Sequence, residues 1–265
     1  ITKKTFERWQ LIKKFAQKIF EKFDLCIASN KESENFLRIL GAKNIKNYGN
    51  LKFSNSKSST SQKLNLDFLN KIKNRKVWCA TSTHEPEEKI CAITHLEIKK
   101  KFSNILTIII PRHVGRVKEI NKQLLNLNLK TVLSSNLDQV DNNTDILLID
   151  SYGETLKFLN ISKYVFVGKS LVKSLAIDSG QNPIEPARLG CEILHGPNVS
   201  NFTEIYYYFK TLGIAQEVKN SDELYLSLVE LFIEDKQKNT ENIKKIENYG
   251  QNIFNNVIME LKKYI

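Results

Sequence analysis

Residues Lys76–His113 read KVWCATSTHEPEEKICAITHLEIKKKFSNILTIIIPRH. Two short apolar runs, Lys76–Ala80 and Ile105–Ile110, flank a segment of helical character, and each run ends abruptly in polar residues. A β-strand, a helix and a second strand in this order predict a parallel pair joined by a crossover, because such strands are apolar on both faces and need covering on both. The pattern continues downstream through runs at Lys130–Leu133, Asp145–Ile149, Tyr164–Val167, Glu192–His195 and Ala215–Val218, most of them separated by helical segments. The expectation is an α/β fold with a doubly wound parallel sheet, whose ligands bind at the carboxyl ends of the strands.

Upstream, Asn55–Gln62 (NSKSSTSQ) is rich in serine and poor in apolar residues, so a linker is expected over 54–62. Before it, Phe6, Trp9, Ile12, Phe15, Ala16, Ile19, Phe20 and Phe23 recur every three or four positions, with lysines between them, and predict one amphipathic helix over Phe6–Phe23. Leu25–Ala28 and Ile45–Tyr48 read as strands around a helix Lys31–Leu40 that Gly41 closes. Residues 1–53 are therefore expected to be the tail of one α/β domain. Residues 63–265 form a second, with Asp222–Glu234 and Asn242–Lys263 as its closing helices. The chain opens on Ile1, and an upstream part is expected to be absent.

The 265 residues, 41% of them apolar, suffice for a large core, and the net charge of +11 favours anionic partners. Cys26, Cys79, Cys91 and Cys191 show neither CxxC spacing nor the density of a disulfide scaffold, which points to a reducing cytoplasm. No apolar run reaches the length of a membrane span. There is no DxD pair, no HExxH and no zinc-like Cys/His spacing, so no metal is implied.

Chemistry is concentrated after the strands. Thr81–Ser82–Thr83–His84–Glu85–Pro86–Glu87–Glu88 reads first as a well-capped helix start, and as its functional alternative as a helix start whose free amides face an anion. Pro111–Arg112–His113 places a guanidinium and an imidazole at a strand end, where Arg clamps phosphate or carboxylate well. Ser151–Tyr152–Gly153–Glu154 is a turn opening a helix, where glycine lets backbone approach a ligand. Gly168–Lys169–Ser170–Leu171 and Ser179–Gly180–Gln181–Asn182–Pro183–Ile184–Glu185–Pro186–Ala187 lead to a helix whose first turn carries Glu185, placed either to accept from ribose hydroxyls or only to complement the helix dipole.

The ordered series Gly49–Asn50–Leu51–Lys52–Phe53, Ser82–Thr83–His84–Glu85, Pro111–Arg112–His113, Asp150–Ser151–Tyr152–Gly153–Glu154, Gly168–Lys169–Ser170–Leu171, Asn182–Pro183–Ile184–Glu185–Pro186–Ala187 and Gly196–Pro197 with Asn201–Phe202 resembles the Kdo transferase family. Those enzymes move 3-deoxy-D-manno-octulosonic acid (Kdo) from CMP-Kdo to a lipid A precursor. The resemblance implies a GT-B architecture of two Rossmann-like domains, a donor-binding second domain, no cofactor, no nucleic-acid partner, and work at the cytoplasmic face of the inner membrane. It implies nucleotide contacts at Pro111, Arg112, Tyr152, Gly153, Glu154, Asn182, Pro183, Ile184 and Glu185, and transition-state stabilisation by Lys52. Further donor contacts are expected from Ser82, Thr83, His113, Gly168, Ser170 and Gln181. The family usually has glycine where Lys169 stands and histidine where Gln181 stands. Its general-base carboxylate has no match in Glu7, Glu21 or Glu32, so the chain alone is expected to bind donor without transferring it. A GT-B enzyme using a UDP-sugar and a basic module for acidic membranes or RNA are the competing readings.

Overall fold

The computed structural model describes residues 1–54, 64–173, 178–235, 237–238 and 240–264. All of the expected linker except Ser54 lies outside the described residues. Two compact units are present, Ile1–Ser58 with Glu241–Ile265, and Ser59–Thr240.

The first unit opens with α1 (Lys3–Gln10) and α2 (Lys13–Phe20), followed by β1 (Cys26–Ala28), α3 (Lys31–Ile39) and β2 (Ile45–Asn47). The two strands pair in parallel, Cys26 opposite Ile45, with α3 as their crossover. The Asn30 side chain accepts from the Ser33 amide at 2.7 Å to start α3, and Gly41 at φ +100° ends it. The single helix expected over Phe6–Phe23 is instead two, broken at Ile12 (φ −124°, ψ 43°). Packing decides this. Trp9 and Phe20 would stand about 16 Å apart along an unbroken helix, whereas the break brings their rings to 5.6 Å, edge to face.

The second unit runs α4 (Leu66–Ile72), β3 (Lys76–Thr83), α5 (Glu87–Lys101), β4 (Ile105–Pro111), α6 (Val117–Asn126), β5 (Thr131–Leu133), β6 (Ile146–Leu148), α7 (Thr155–Ile161), β7 (Tyr164–Val167), α8 (Ile184–Arg188), β8 (Glu192–His195), α9 (Thr203–Thr211), β9 (Ala215–Glu217) and α10 (Ser221–Glu234). Its seven strands lie in the order β5-β6-β4-β3-β7-β8-β9, and every pairing is parallel. From β3 the chain builds outward on one side to β4, β5 and β6, then crosses to β7 on the other. The strand order thus reverses between β3 and β7, and the loops leaving these two strands flank the crevice where ligands of such sheets bind. Trp78, Ile109, Phe166 and Phe158 are fully buried around the sheet, each stabilising the fold by about 1.5–3 kcal/mol. At the amino-terminal edge the Arg75 guanidinium donates to the carbonyls of Asn104, Ile105, Asp141 and Thr144, which joins three strand entrances.

The last helix, α11 (Thr240–Leu261), departs from expectation, because from Glu241 onward it packs in the first unit. Gly250 lies so close to Phe53 that a Cβ there would stand 2.1 Å from the Phe53 carbonyl oxygen. Beside it Tyr249 meets Phe53 edge to face at 5.0 Å, and the Tyr48 hydroxyl donates to Glu260 at 2.9 Å. The helix buries Ile246, Ile253 and Val257, a stripe that foretells burial but does not say against what.

Candidate functional site

Because all seven strands are parallel, the polar segments that follow them share one edge of the sheet. The ends of β6, β4, β3, β7 and β8 lie side by side along a rim roughly 19 Å across at the usual strand spacing. On it stand Asp150–Glu154, Arg112–His113, Ser82–His84, Gly168–Leu171 and Gly196.

At the centre of the rim the loops are tied together by a buried carboxylate. Glu87, in the first turn of α5, is fully buried and accepts four backbone N–H bonds. Its Oε2 takes the amides of His84 (3.0 Å) and Lys169 (2.7 Å), and its Oε1 those of Ser170 (2.9 Å) and Leu171 (3.1 Å). Burial pushes the Glu87 carboxyl above its ordinary range while these four amides pull the other way. The amides after Gly168 are therefore filled by the protein's own anion and are not open to a phosphate. Glu88 is likewise spent inside, accepting from the Thr83 hydroxyl at 3.0 Å and pairing with Arg116 at 2.9 Å.

The backbone is tight here. A Cβ on Gly168 would lie 2.7 Å from the Ser82 carbonyl oxygen, and one on Gly196 would lie 2.1 Å from that of Ser170. The Ser170 hydroxyl donates to Val167 and accepts from the Gly196 amide, and the Thr83 hydroxyl is committed to Glu88, so both expected donor contacts hold the loops from within. Ser82 and Lys169 adopt φ +55°, a region that favours glycine. Lys169 turns its Nζ to the Asp178 carbonyl at 2.6 Å.

The segment from Asp178 to Ile184 is held against the same rim. The Gly180 amide donates to the Lys169 carbonyl at 2.7 Å, and Tyr206 donates to the Gln181 carbonyl at 3.1 Å. Asn182 turns its side-chain oxygen inward to cap the Ile184 amide at 3.1 Å. Glu185 follows, exposed, while Pro183 and Ile184 are buried. Across the rim Arg112 is exposed too, its amide donating to the Thr83 carbonyl at 3.0 Å. Among the described residues neither the Arg112 guanidinium nor the Glu185 carboxylate has a hydrogen-bond or ion-pair partner. Charged groups elsewhere on the rim are satisfied internally: Asp150 by Ser134 and Ser135, and Glu154 by Lys157 at 2.7 Å and by Ser134 and Ser151. Tyr152 is 71% exposed beside Gly153, which has φ +82°. Lys52 sits in the first unit on the turn Leu51–Ser54, its amide bonded to the Asn50 side chain at 3.0 Å.

Two features of the rim have no signal in the sequence. Glu87 reads as an ordinary helix-start carboxylate, since its partners lie 82 to 84 positions away. His84 and His113 end adjacent strands with ring centroids 5.7 Å apart, and only the pairing of β3 with β4 reveals it. A groove of about 890 Å³, lined by Arg75, Asn104 and Asp141 among others, lies at the amino-terminal edge, and none of the expected donor contacts lines it. Among the described residues no cluster of three His, Cys, Asp or Glu could hold a metal ion, and no helix is long and apolar enough to cross a membrane.

Residues 1–55 match the family model of 3-deoxy-D-manno-octulosonic-acid transferase (kdotransferase). The chain is 28% identical to the 3-deoxy-D-manno-octulosonic acid transferase of Rickettsia prowazekii, over all of this chain and 55% of that one. It is 30% identical to that of Aquifex aeolicus, over 85% of this chain and 58% of that one. It therefore spans little more than half the length of these relatives. The crystal structure of the C-terminal CMP-Kdo binding domain of WaaA from Acinetobacter baumannii superposes with a TM-score of 0.55 at 23% identity, covering 72% of this chain and 99% of that domain. The resemblance to Kdo transferases thus extends along nearly the whole chain, on a GT-B type α/β fold.

Proposed function

We propose that this chain carries the donor site of a Kdo transferase, binding CMP-Kdo for transfer of Kdo to a lipid A precursor. The observation that carries the reading is the pair of exposed, unpartnered charges, Arg112 and Glu185, on a rim where the neighbouring carboxylates are satisfied from within. A guanidinium suits the phosphate of cytidine monophosphate, and a carboxylate suits a ribose diol. Pro111, Tyr152, Gly153 and Asn182–Ile184 border them, and Ser82, His113 and Gln181 are the remaining donor contacts in this reading.

In the reaction, the bond between the Kdo anomeric carbon and the phosphate oxygen breaks and its electron pair leaves with CMP. An acceptor hydroxyl attacks that carbon and releases its proton to a base. Negative charge grows on the leaving phosphate, and fixed cations stabilise it without reorganising. Arg112 meets that charge, with neither metal nor cofactor; transition-state stabilisation by Lys52, in the first unit, rests on the resemblance to Kdo transferases alone. No base is assigned among the residues of this chain, so the chain alone binds donor and transfers nothing. The transfer takes place at the cytoplasmic face of the inner membrane, which the net charge of +11 favours through attraction to acidic head groups.

Thermal unfolding with CMP, UMP and UDP tests the reading. Ligand at 100 times its dissociation constant adds about 2.7 kcal/mol, or roughly 5–10 °C for a unit of this size. The gain is expected with CMP and not with UDP, and is lost in Arg112→Ala and Glu185→Ala. Equal response to all three nucleotides, or none, counts against it.

A further inference from the structure

We infer that His84 is a proton-coupled oxyanion subsite: its Nε2 binds an oxyanion of the donor only as the imidazolium, so that donor binding takes up a proton. The inference rests on the donor-binding reading above and adds a group outside the nucleotide contacts.

The argument starts from a tautomer. His84 ends β3 at the switch point, half-buried, with Nδ1 3.1 Å from the Ser82 carbonyl oxygen. A carbonyl only accepts, so Nδ1 bears the hydrogen in the neutral ring and Nε2 is left as a bare lone pair. Ser82 holds this carbonyl in place through its own left-handed backbone, pressed against Gly168 of the neighbouring strand end. The ring therefore cannot exchange tautomers without giving up its anchor. A bare Nε2 repels an oxyanion. A protonated Nε2 donates to it and brings a positive charge.

The surroundings set when that proton arrives. His113, from the loop after β4, stands 5.7 Å away edge to face, and Lys169 comes from the loop after β7. From α5, Glu87 binds the His84 amide and Glu88 lies nearby. Burial foremost, then Lys169 and His113, hold the imidazole below its ordinary pKa, against the Ser82 carbonyl and Glu88. Without ligand the ring is neutral at pH 7. An oxyanion bound at Nε2 places a negative charge beside the ring and raises the His84 pKa. Uptake of a proton is largest between the free and the bound pKa, and affinity falls by up to about tenfold per pH unit across that window as pH rises.

Calorimetric titration of the chain at pH 7 in buffers of different ionisation enthalpy reads the proton directly. The probes are cytidine, CMP, and CMP with Kdo added. Uptake that first appears with CMP assigns the phosphate, and uptake that first appears when Kdo is added assigns the sugar carboxylate; either supports the subsite. Binding of these probes with no uptake at any step overturns it, as does uptake that persists in His84→Gln. If CMP does not bind at all, the donor reading falls and the inference with it. Nitrogen-15 NMR of the imidazole checks the same point without a variant: Nδ1–H in the free chain and both nitrogens protonated in the complex are expected, and an Nε2–H tautomer in the free chain contradicts the mechanism.

Discussion

Replacing Glu87 by Gln removes the charge from the rim's central tie while keeping its shape. The carboxylate accepts two amides on each oxygen, at 2.7–3.1 Å. A Gln side chain has one acceptor oxygen, so in either orientation one pair of amides faces an NH₂ group. Two buried donors left unmatched cost about 1–3 kcal/mol each. Releasing a carboxylate that burial disfavours offsets part of this, leaving a net loss of about 2–3 kcal/mol. For a unit of this size that is a fall of roughly 5–10 °C in the unfolding midpoint. The two tryptophans separate the units, since Trp78 is buried in the second and Trp9 lies in the first. Denaturation of a Trp9→Phe background, followed by Trp78 fluorescence, reads the second unit alone, and CMP affinity should fall with its stability. A Glu87→Gln chain within about 0.5 kcal/mol of the parent, the range of unremarkable surface changes, would refute the idea that this carboxylate holds the loops.

Gly196→Ala should destabilise the second unit by about 3 kcal/mol, the upper end for overpacking, since its Cβ meets the Ser170 carbonyl at 2.1 Å; urea midpoints measure this. Lys169→Gly should stay within about 1 kcal/mol of the parent, relief of the left-handed backbone balancing glycine's entropy and the lost Asp178 contact, while Lys169→Val should lose about 2 kcal/mol or more; unfolding midpoints of the two variants decide. Asp145, nearly buried, works against burial but is held well below the usual carboxylate range by hydrogen bonds from His95, Lys99 and the Lys130 amide. A depressed folded pKa contributes stability above the unfolded value, about 3.9, which is lost as pH falls through the folded one. Asp145→Asn should therefore lose about 3 kcal/mol at pH 7 and show a flatter acid limb below about pH 4 in pH-dependent denaturation.

Much of this architecture is written in local periodicity. The runs at Tyr164–Val167 and Glu192–His195 are strands with the same bounds in the fold, because a short apolar run between polar turns has few alternatives in a parallel sheet. Parallel strands also put every strand-end motif on one rim, so Arg112, Gly168 and Glu185 could be grouped before any geometry was known. What the sequence does not carry is the identity of distant partners. Nothing in the spacing of Phe6–Phe23 says that Trp9 folds back on Phe20, and the stripe on α11 fits either unit until Gly250 meets Phe53. Glu87 shows the same limit, since what distinguishes it from a helix cap lies 82 to 84 positions downstream.

The decisive observation is a crystal structure of the chain with CMP. The phosphate is expected against the Arg112 guanidinium and the ribose against Glu185, at the carboxyl edge of the sheet around β3 and β7. A nucleotide seated in the groove beside Arg75 at the opposite edge, or bound with both Arg112 and Glu185 turned away from it, would contradict the account.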